Sequence, residues 1–443
     1  MTKILLKVSF RIIYIPIIVL GFQLSICSQT ENDNFKKEME AFKLASSLSR
    51  NINSSRDYIT NLNELLSHPE YFKYTNYSDI IAWWYNNTGR YKKGIEIGDQ
   101  LFPDKTRFYN FSPENYKIKN AVEFIIEKST SNQVIMINEE HRMSRHRALP
   151  GQLLQALYNN GFRYLAVETL MDDSTLELTG QPVLNSGAYS KDPIFAEFLR
   201  TAAKIGYTMI PYDVGDPPDD YGQMNEIQRI VWREKTQAEN IINRILDKDS
   251  KAKILVYGGR GHIAEYYEVK DSLEIGFMAG FFKHLSGIDP LTIDQLENEE
   301  HFDSTLESLA FSWVRKSKNI KQNFFNVLVD KKTDSIFTRQ YYDISIVPSL
   351  DNYYEGRPDW LINMPGRKKL YINVEQFQPA DSSYFLVQAI YESEDSVRAI
   401  PADQFAYQQG QNNVLLLLKP NIYNIRILNN KGYVLKEWRE ELN

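Results

Sequence analysis

Apolar residues fall along this chain in three rhythms, and each predicts a different kind of structure. From Glu31 to about Tyr109 they recur every three or four positions on a polar background, the period of helices that bury one face. Between Tyr77 and Gly98 that spacing runs on both sides of Gly89, which predicts a helix-turn-helix hairpin of tetratricopeptide-like form. From Phe111 to about Pro290 the apolar residues gather instead into short continuous runs: Gln133 to Ile137, Arg163 to Val167, Thr208 to Tyr212 and Lys253 to Tyr257. Helical stretches separate them, at Leu149 to Asn160, Asp192 to Ile205 and Asn225 to Leu246. Strands that do not alternate, interleaved with helices, predict an α/β domain whose parallel or mixed sheet is flanked by helices. Beyond Pro290 the rhythm changes again. A mixed stretch over 291–368 reads as linker and lid, with the aromatic segment Asp351 to Trp360 either as the lid or as an ordinary interdomain loop with an aromatic anchor. From Lys369 short alternating strands predict a separable β-sandwich accessory domain over 369–443.

The four strand-like runs share one property that shifts attention from fold to chemistry. The first breaks into Asn138-Glu-Glu-His-Arg-Met-Ser-Arg-His-Arg147, and the others end in Glu168, in Asp213 and in Gly258-Gly-Arg-Gly-His262. In an open α/β sheet the ligand crevice lies beyond the carboxyl ends of the strands, because the connecting loops diverge there. Glu139, His141, Glu168 and His262 are therefore the candidate catalytic residues. A divalent cation such as Zn, Mn or Co would draw on imidazole and carboxylate donors converging on one point, for which Glu139, His141, His262 and Asp213 are the candidates. Without a metal, a histidine paired with a carboxylate can act as a general base on water. Arg142, Arg147, His146 and Arg260 are candidate substrate-binding residues, the arginines suited to an oxyanion or a carboxylate.

Charge and targeting narrow the partners. With 443 residues and a formal charge of −6, the chain has the length for several domains and no basic run of the kind that neutralises nucleic-acid phosphates. Residues 1–28 read as an export signal: Lys3, Lys7 and Arg11 precede the apolar run Ile12 to Phe22, which is shorter than the roughly 20 residues a bilayer span needs. Leu24-Ser-Ile-Cys27 resembles a bacterial lipobox, so attachment to a membrane through a lipidated Cys27, or through an uncleaved signal, is open beside simple secretion. Either way the destination is periplasmic, outer-membrane-associated or extracellular. Cys27 is the sole cysteine, which leaves the body of the protein without disulfide or thiolate chemistry.

Asn138-Glu-Glu-His-Arg-Met-Ser-Arg-His146, a helix, and then Gly161-Phe-Arg-Tyr-Leu-Ala-Val-Glu168 resemble the opening motif of the superfamily containing erythromycin esterases, the ChaN haem-binding lipoproteins and the TraB/Tiki proteins. Glu139, His141 and His146 match the ChaN spacing most closely, and Gly259-Arg-Gly-His262 matches the closing Gly-x-x-His of ChaN and TraB/Tiki; Asn138 departs from the usual glycine. The resemblance covers about residues 115 to 290. It leaves three functions open. The first is an exported hydrolase that activates water on an ester or amide bond of a small molecule or peptide. The second is haem binding without turnover, with Tyr189, Tyr212 or a histidine as axial ligand. The third is a non-catalytic scaffold.

Overall fold

The computed structural model describes residues 29–101, 111–317 and 324–443. The export signal and Cys27 lie outside the described residues. Among the described residues no helix is long and apolar enough to cross a membrane.

Six parallel strands form the central sheet: β1 (Val134–Glu139), β2 (Phe162–Val167), β3 (Thr208–Pro211), β4 (Lys253–Gly259), β5 (Leu291–Asp294) and β6 (Ile344–Ser345), in the order β6-β5-β1-β4-β2-β3. The apolar runs are continuous because both faces of the sheet are covered. Ile135, Ile137, Leu165, Val167, Leu255 and Tyr257 face one core cluster, and Val134, Met136, Ala166, Ile254 and Val256 face another. Helices Ala121–Ser129, Arg145–Asn159 and Pro193–Ile205 cover the first face; Glu226–Ile241 and Met278–Ser286 cover the second. The predicted α/β class is the observed one.

The boundary expected at residue 290 moves. β5 and β6 belong to the central sheet, so it closes only at Ser345. A four-residue and a two-residue strand leave too short an apolar run to be read as sheet. The segment predicted as a lid is anchored instead. Trp360 is buried, and Arg357, fully buried, pairs with Asp403 at 2.5 Å and donates to the Gln404 carbonyl at 3.1 Å.

Four helices, Gln29–Arg50, Asp57–Leu66, Thr75–Asn87 and Tyr91–Leu101, form the N-terminal layer. The last two make the predicted hairpin, and Gly89 turns it with φ +79, a conformation that costs glycine little. At the C-terminus a two-stranded sheet (Lys368–Asn373 with Asn413–Leu418) faces a four-stranded sheet built from Phe385–Tyr391, Asp403–Tyr407, Asn421–Leu428 and Val434–Leu442. Ile372, Leu416, Val387, Phe405 and Ile425 fill the space between them. This β-module, which the change in rhythm predicts as a separable sandwich, packs on the rest of the molecule. Part of each outer face is buried: Leu386, Ala406 and Leu428 pack with Tyr58, Tyr77 and Trp84 of the helical layer, while Leu415 and Leu417 join the sheet's core.

Candidate functional site

The four candidate catalytic residues meet at the carboxyl ends of β1, β2 and β4. Glu139 ends β1 and is 1% exposed. Its carboxylate accepts from Arg147 Nε and Nη2, both at 2.8 Å, from the Tyr257 hydroxyl at 2.7 Å, and lies 2.9 Å from His141 Nδ1. Burial pushes this carboxyl up, but Arg147 and His141 outweigh burial and hold it at about 2. Arg147, fully buried, uses its other edge to pair with Asp192 at 2.8 Å. Asp192 also caps the helix Pro193–Ile205, accepting from the amides of Ile194 at 2.7 Å and Phe195 at 3.1 Å.

With Nδ1 engaged by Glu139, His141 has Nε2 left for chemistry. Its ring lies face to face with Tyr189, centroids 3.8 Å apart and planes at 14°. The strand end opposite, Gly259, has no Cβ for a structural reason. A Cβ there would strike His141 Cε1 and lie 2.5 Å from His141 Nε2 and 2.9 Å from Glu168 Oε2. His141 Nε2 and Glu168 thus crowd the same spot.

Glu168 follows β2, and it accepts the Gly259 amide, Arg233 Nη2 at 2.8 Å and, at 3.4 Å, His262 Nε2. Burial works against the charge on Glu168, yet His262 and Arg233 keep its carboxyl well below the usual range. His262 Nδ1 lies 2.7 Å from Glu234, which also accepts the Met278 amide at 2.8 Å. Burial alone would lower this imidazole, but Glu234 and Glu168 raise it to about 10, so it is protonated at neutral pH. Two histidine–carboxylate pairs therefore flank Gly259. The first is anchored below the sheet edge by Arg147, and the second is held charged by two glutamates.

Other candidates are placed differently. Asp213 sits at the rim, accepting from Gln237 at 2.8 Å with Arg233 3.6 Å away. His146 is not at the rim: it is buried, its Nδ1 accepts the Glu140 amide at 2.9 Å, and burial lowers it to about 4, so it closes the loop after β1 and does not meet substrate. Arg147 is likewise structural, since its guanidinium is spent between Glu139 and Asp192. Arg142 ties Asp79 of the helical layer, at 3.0 Å, to Glu140. Arg260 pairs with Glu140 at 2.7 Å and holds the strained φ of +42 between two glycines. Of the arginines, the one facing the paired histidines is Arg233, which the sequence pattern conceals because Arg233 and Glu234 look like ordinary surface charges on an amphipathic helix. Tyr189, in a segment with no apolar period, enters the sequence reading only as a haem ligand and not as a neighbour of His141.

The donor set does not suit a divalent metal. Both oxygens of Glu139 and of Glu168 are committed to arginine, tyrosine or backbone donors, and Asp213 is turned to Gln237. Among the described residues no group of three or more His, Cys, Asp or Glu side chains is arranged to hold an ion. Of the expected axial haem ligands, the Tyr212 hydroxyl donates to the Tyr257 carbonyl at 3.2 Å and Tyr189 is stacked on His141.

No protein-family model matches the chain, and no curated protein matches it. Solved structures similar to it include the type III effector HopBA1, 17% identical with a TM-score of 0.28 over 44% of this chain and 96% of that one. Another is RRSP, a MARTX toxin effector domain from Vibrio vulnificus CMCP6, 13% identical with a TM-score of 0.32 over 54% of this chain and 49% of that one. A bacterial protein toxin structure is 11% identical with a TM-score of 0.29, over 60% of this chain and 47% of that one. The chain thus spans about half the length of the latter two. At these scores the likenesses bear no weight for function.

Proposed function

We propose that the protein is an exported hydrolase in which His141 activates water against an ester or amide carbonyl. The observation that carries this reading is the pair of histidine–carboxylate dyads on either side of Gly259. Glu139, itself fixed by Arg147, orients His141 so that Nε2 takes a proton from water. The hydroxide adds to the carbonyl carbon, and His262, protonated, together with Arg233 supplies positive charge where the oxyanion develops. His141 then returns the proton to the leaving oxygen or nitrogen as the tetrahedral adduct collapses. Glu168 holds His262 and Arg233 in register. Export rests on Lys3, Lys7 and Arg11 ahead of the apolar run, and the substrate is a small molecule or peptide.

The test is a screen of chromogenic esters and peptide amides with purified protein, with and without chelator. His141→Ala lowers the rate by about a hundredfold or more, as removal of a positioned general base does, and chelation leaves the wild-type rate unchanged. Wild type and His141→Ala giving the same rate on every substrate would overturn the reading. A Soret band in the purified protein would move it to haem binding.

A further inference from the structure

We propose that Tyr189 is a positioning residue for His141, held in place by the helical layer and the β-module; this rests on the hydrolase reading above. His141 is fixed on three sides: Nδ1 by Glu139 at 2.9 Å, one ring edge by the bare backbone of Gly259, and one face by Tyr189 at 3.8 Å. The hydrogen bond and the glycine leave the ring free to rock about the Nδ1 contact. A parallel aromatic face removes that freedom, since tilting the imidazole would lift it off the stack or drive it into the phenol ring.

The segment that carries Tyr189 is itself tied to every part of the molecule. Leu170, two residues past Glu168, bridges to Gly187, and the Met171 amide donates to Ser186 O at 2.9 Å. Val183 bridges to Ala399 of the β-module, where the Leu184 amide also donates to Arg398 O at 3.0 Å. Lys191, next but one to Tyr189, donates from Nζ to Ser49 O at 2.7 Å, and its own carbonyl accepts the Tyr58 hydroxyl at 2.5 Å, both in the helical layer. Asp192 closes the segment on Arg147, the residue that fixes Glu139. Ten residues, 183–192, therefore hold the face of His141 and the anchor of its carboxylate partner at once. The two flanking regions act on the site through this segment.

The experiment uses the full chain with ¹³C-labelled histidine, in wild type, Tyr189→Phe and Tyr189→Leu. The chain has six histidines, so each ring resonance can be assigned by substitution. Stacking at 3.8 Å places the His141 ring protons in the shielding cone of Tyr189, and they resonate upfield of an unstacked histidine in wild type and Tyr189→Phe. In Tyr189→Leu they return to an ordinary position, while His284, stacked on Tyr267 at 4.2 Å, stays unchanged as the internal reference. On a turned-over substrate, Tyr189→Leu lowers kcat by about 10- to 100-fold, the scale of a misplaced reacting group, with little change in KM, and Tyr189→Phe restores it. Tyr189→Phe failing as badly as Tyr189→Leu would overturn the inference, as would a kcat loss with no change in the His141 resonances. If Tyr189→Leu does not fold, the upfield shift in wild type and Tyr189→Phe decides, and its absence in either overturns the inference. If no substrate is turned over, the hydrolase reading falls and the resonances still answer for Tyr189.

Discussion

Two regions of this molecule hold a buried arginine, Arg147 and Arg426, on opposite terms, while a third, Arg357, is paired with Asp403. At the strand ends, Arg147 lies between two buried acids, Glu139 and Asp192, each also bonded to neighbours. In the β-module, Arg426 donates to neutral partners: Nε to Gln388 Oε1 at 2.9 Å, Nη1 to Ser396 O at 3.1 Å, and Nη2 to Ser55 Oγ. The difference teaches where charge is used and where it is only tolerated. Around Arg147 every charge has a countercharge, and the surplus of order is spent on aiming His141. Around Arg426 burial and the nearby Arg56 outweigh the pull of Glu437 and lower the guanidinium to about 10. The first arrangement is suited to fix a reactive group and the second to rivet two layers together.

Removing Arg147 should cost more than any other single substitution in these two regions. Arg147→Ala strands Glu139 and Asp192 in the interior without their cation, a situation that costs about 3 to 5 kcal/mol. Urea unfolding monitored by tryptophan fluorescence measures the loss, and a change below about 1 kcal/mol would mean that the two acids find other partners and that the contrast with Arg426 is false.

How much of this could be read from the sequence follows the same division. The four predicted strands were legible because burial on both faces makes their apolar runs continuous, and Glu139, His141, Glu168 and His262 were legible because each stands where such a run stops. What completes the site was not. Glu234 and Arg233 come from a helix whose charges look solvated, Tyr189 comes from a segment without a period, and Asp192 reads only as the start of a helix. Their contacts are long in sequence, and periodicity carries no information about which loop folds back over which strand. The roles expected of His146 and Arg147 failed for a related reason. A polar run after a strand reads as exposed, whereas here it opens the helix Arg145–Asn159, whose first turn buries both. The β-module looked separable because its strands alternate, but the outward residues of that alternation include Leu386, Ala406 and Leu428, whose partners are helices more than 300 residues earlier.

The next effect in size separates the two dyads by pH. His262 has a folded value of about 10 against an ordinary 6.5, so the stability it contributes is fully present below about pH 6.5 and is lost as pH rises through 10. Glu139 has the opposite sign: held at about 2, its contribution is present above its ordinary value of 4.5 and lost as pH falls through 2. His146, lowered to about 4, contributes above 6.5 and loses that as pH falls toward 4. Urea midpoints of wild type and His262→Gln at about pH 6 and about pH 10 isolate the alkaline limb. Wild type should fall more steeply between the two, and parallel falls would show that His262 is not held charged.

The smallest effect belongs to Arg426→Met. Methionine keeps the unbranched stem and removes the buried cation together with its desolvation cost. What it leaves behind is neutral and partly provided for: the Gln388 amide still donates to Ser55 O at 2.7 Å and Gln404 Oε1 at 2.5 Å, and the Ser55 hydroxyl still donates to Val397 O at 3.1 Å. Gln388 Oε1 and the Ser396 carbonyl lose this donor, and each such loss costs about 1 kcal/mol before the relief of burying a charge is set against it. The net change in urea unfolding should therefore be about 1 kcal/mol or less, with turnover unaffected because the contacts of Arg426 lie in the β-module and the helical layer, away from the strand ends. If Arg426→Met costs as much as Arg147→Ala, buried neutral acceptors stabilise a cation in this fold as well as paired acids do, and the acids around Arg147 need another explanation than electrostatics.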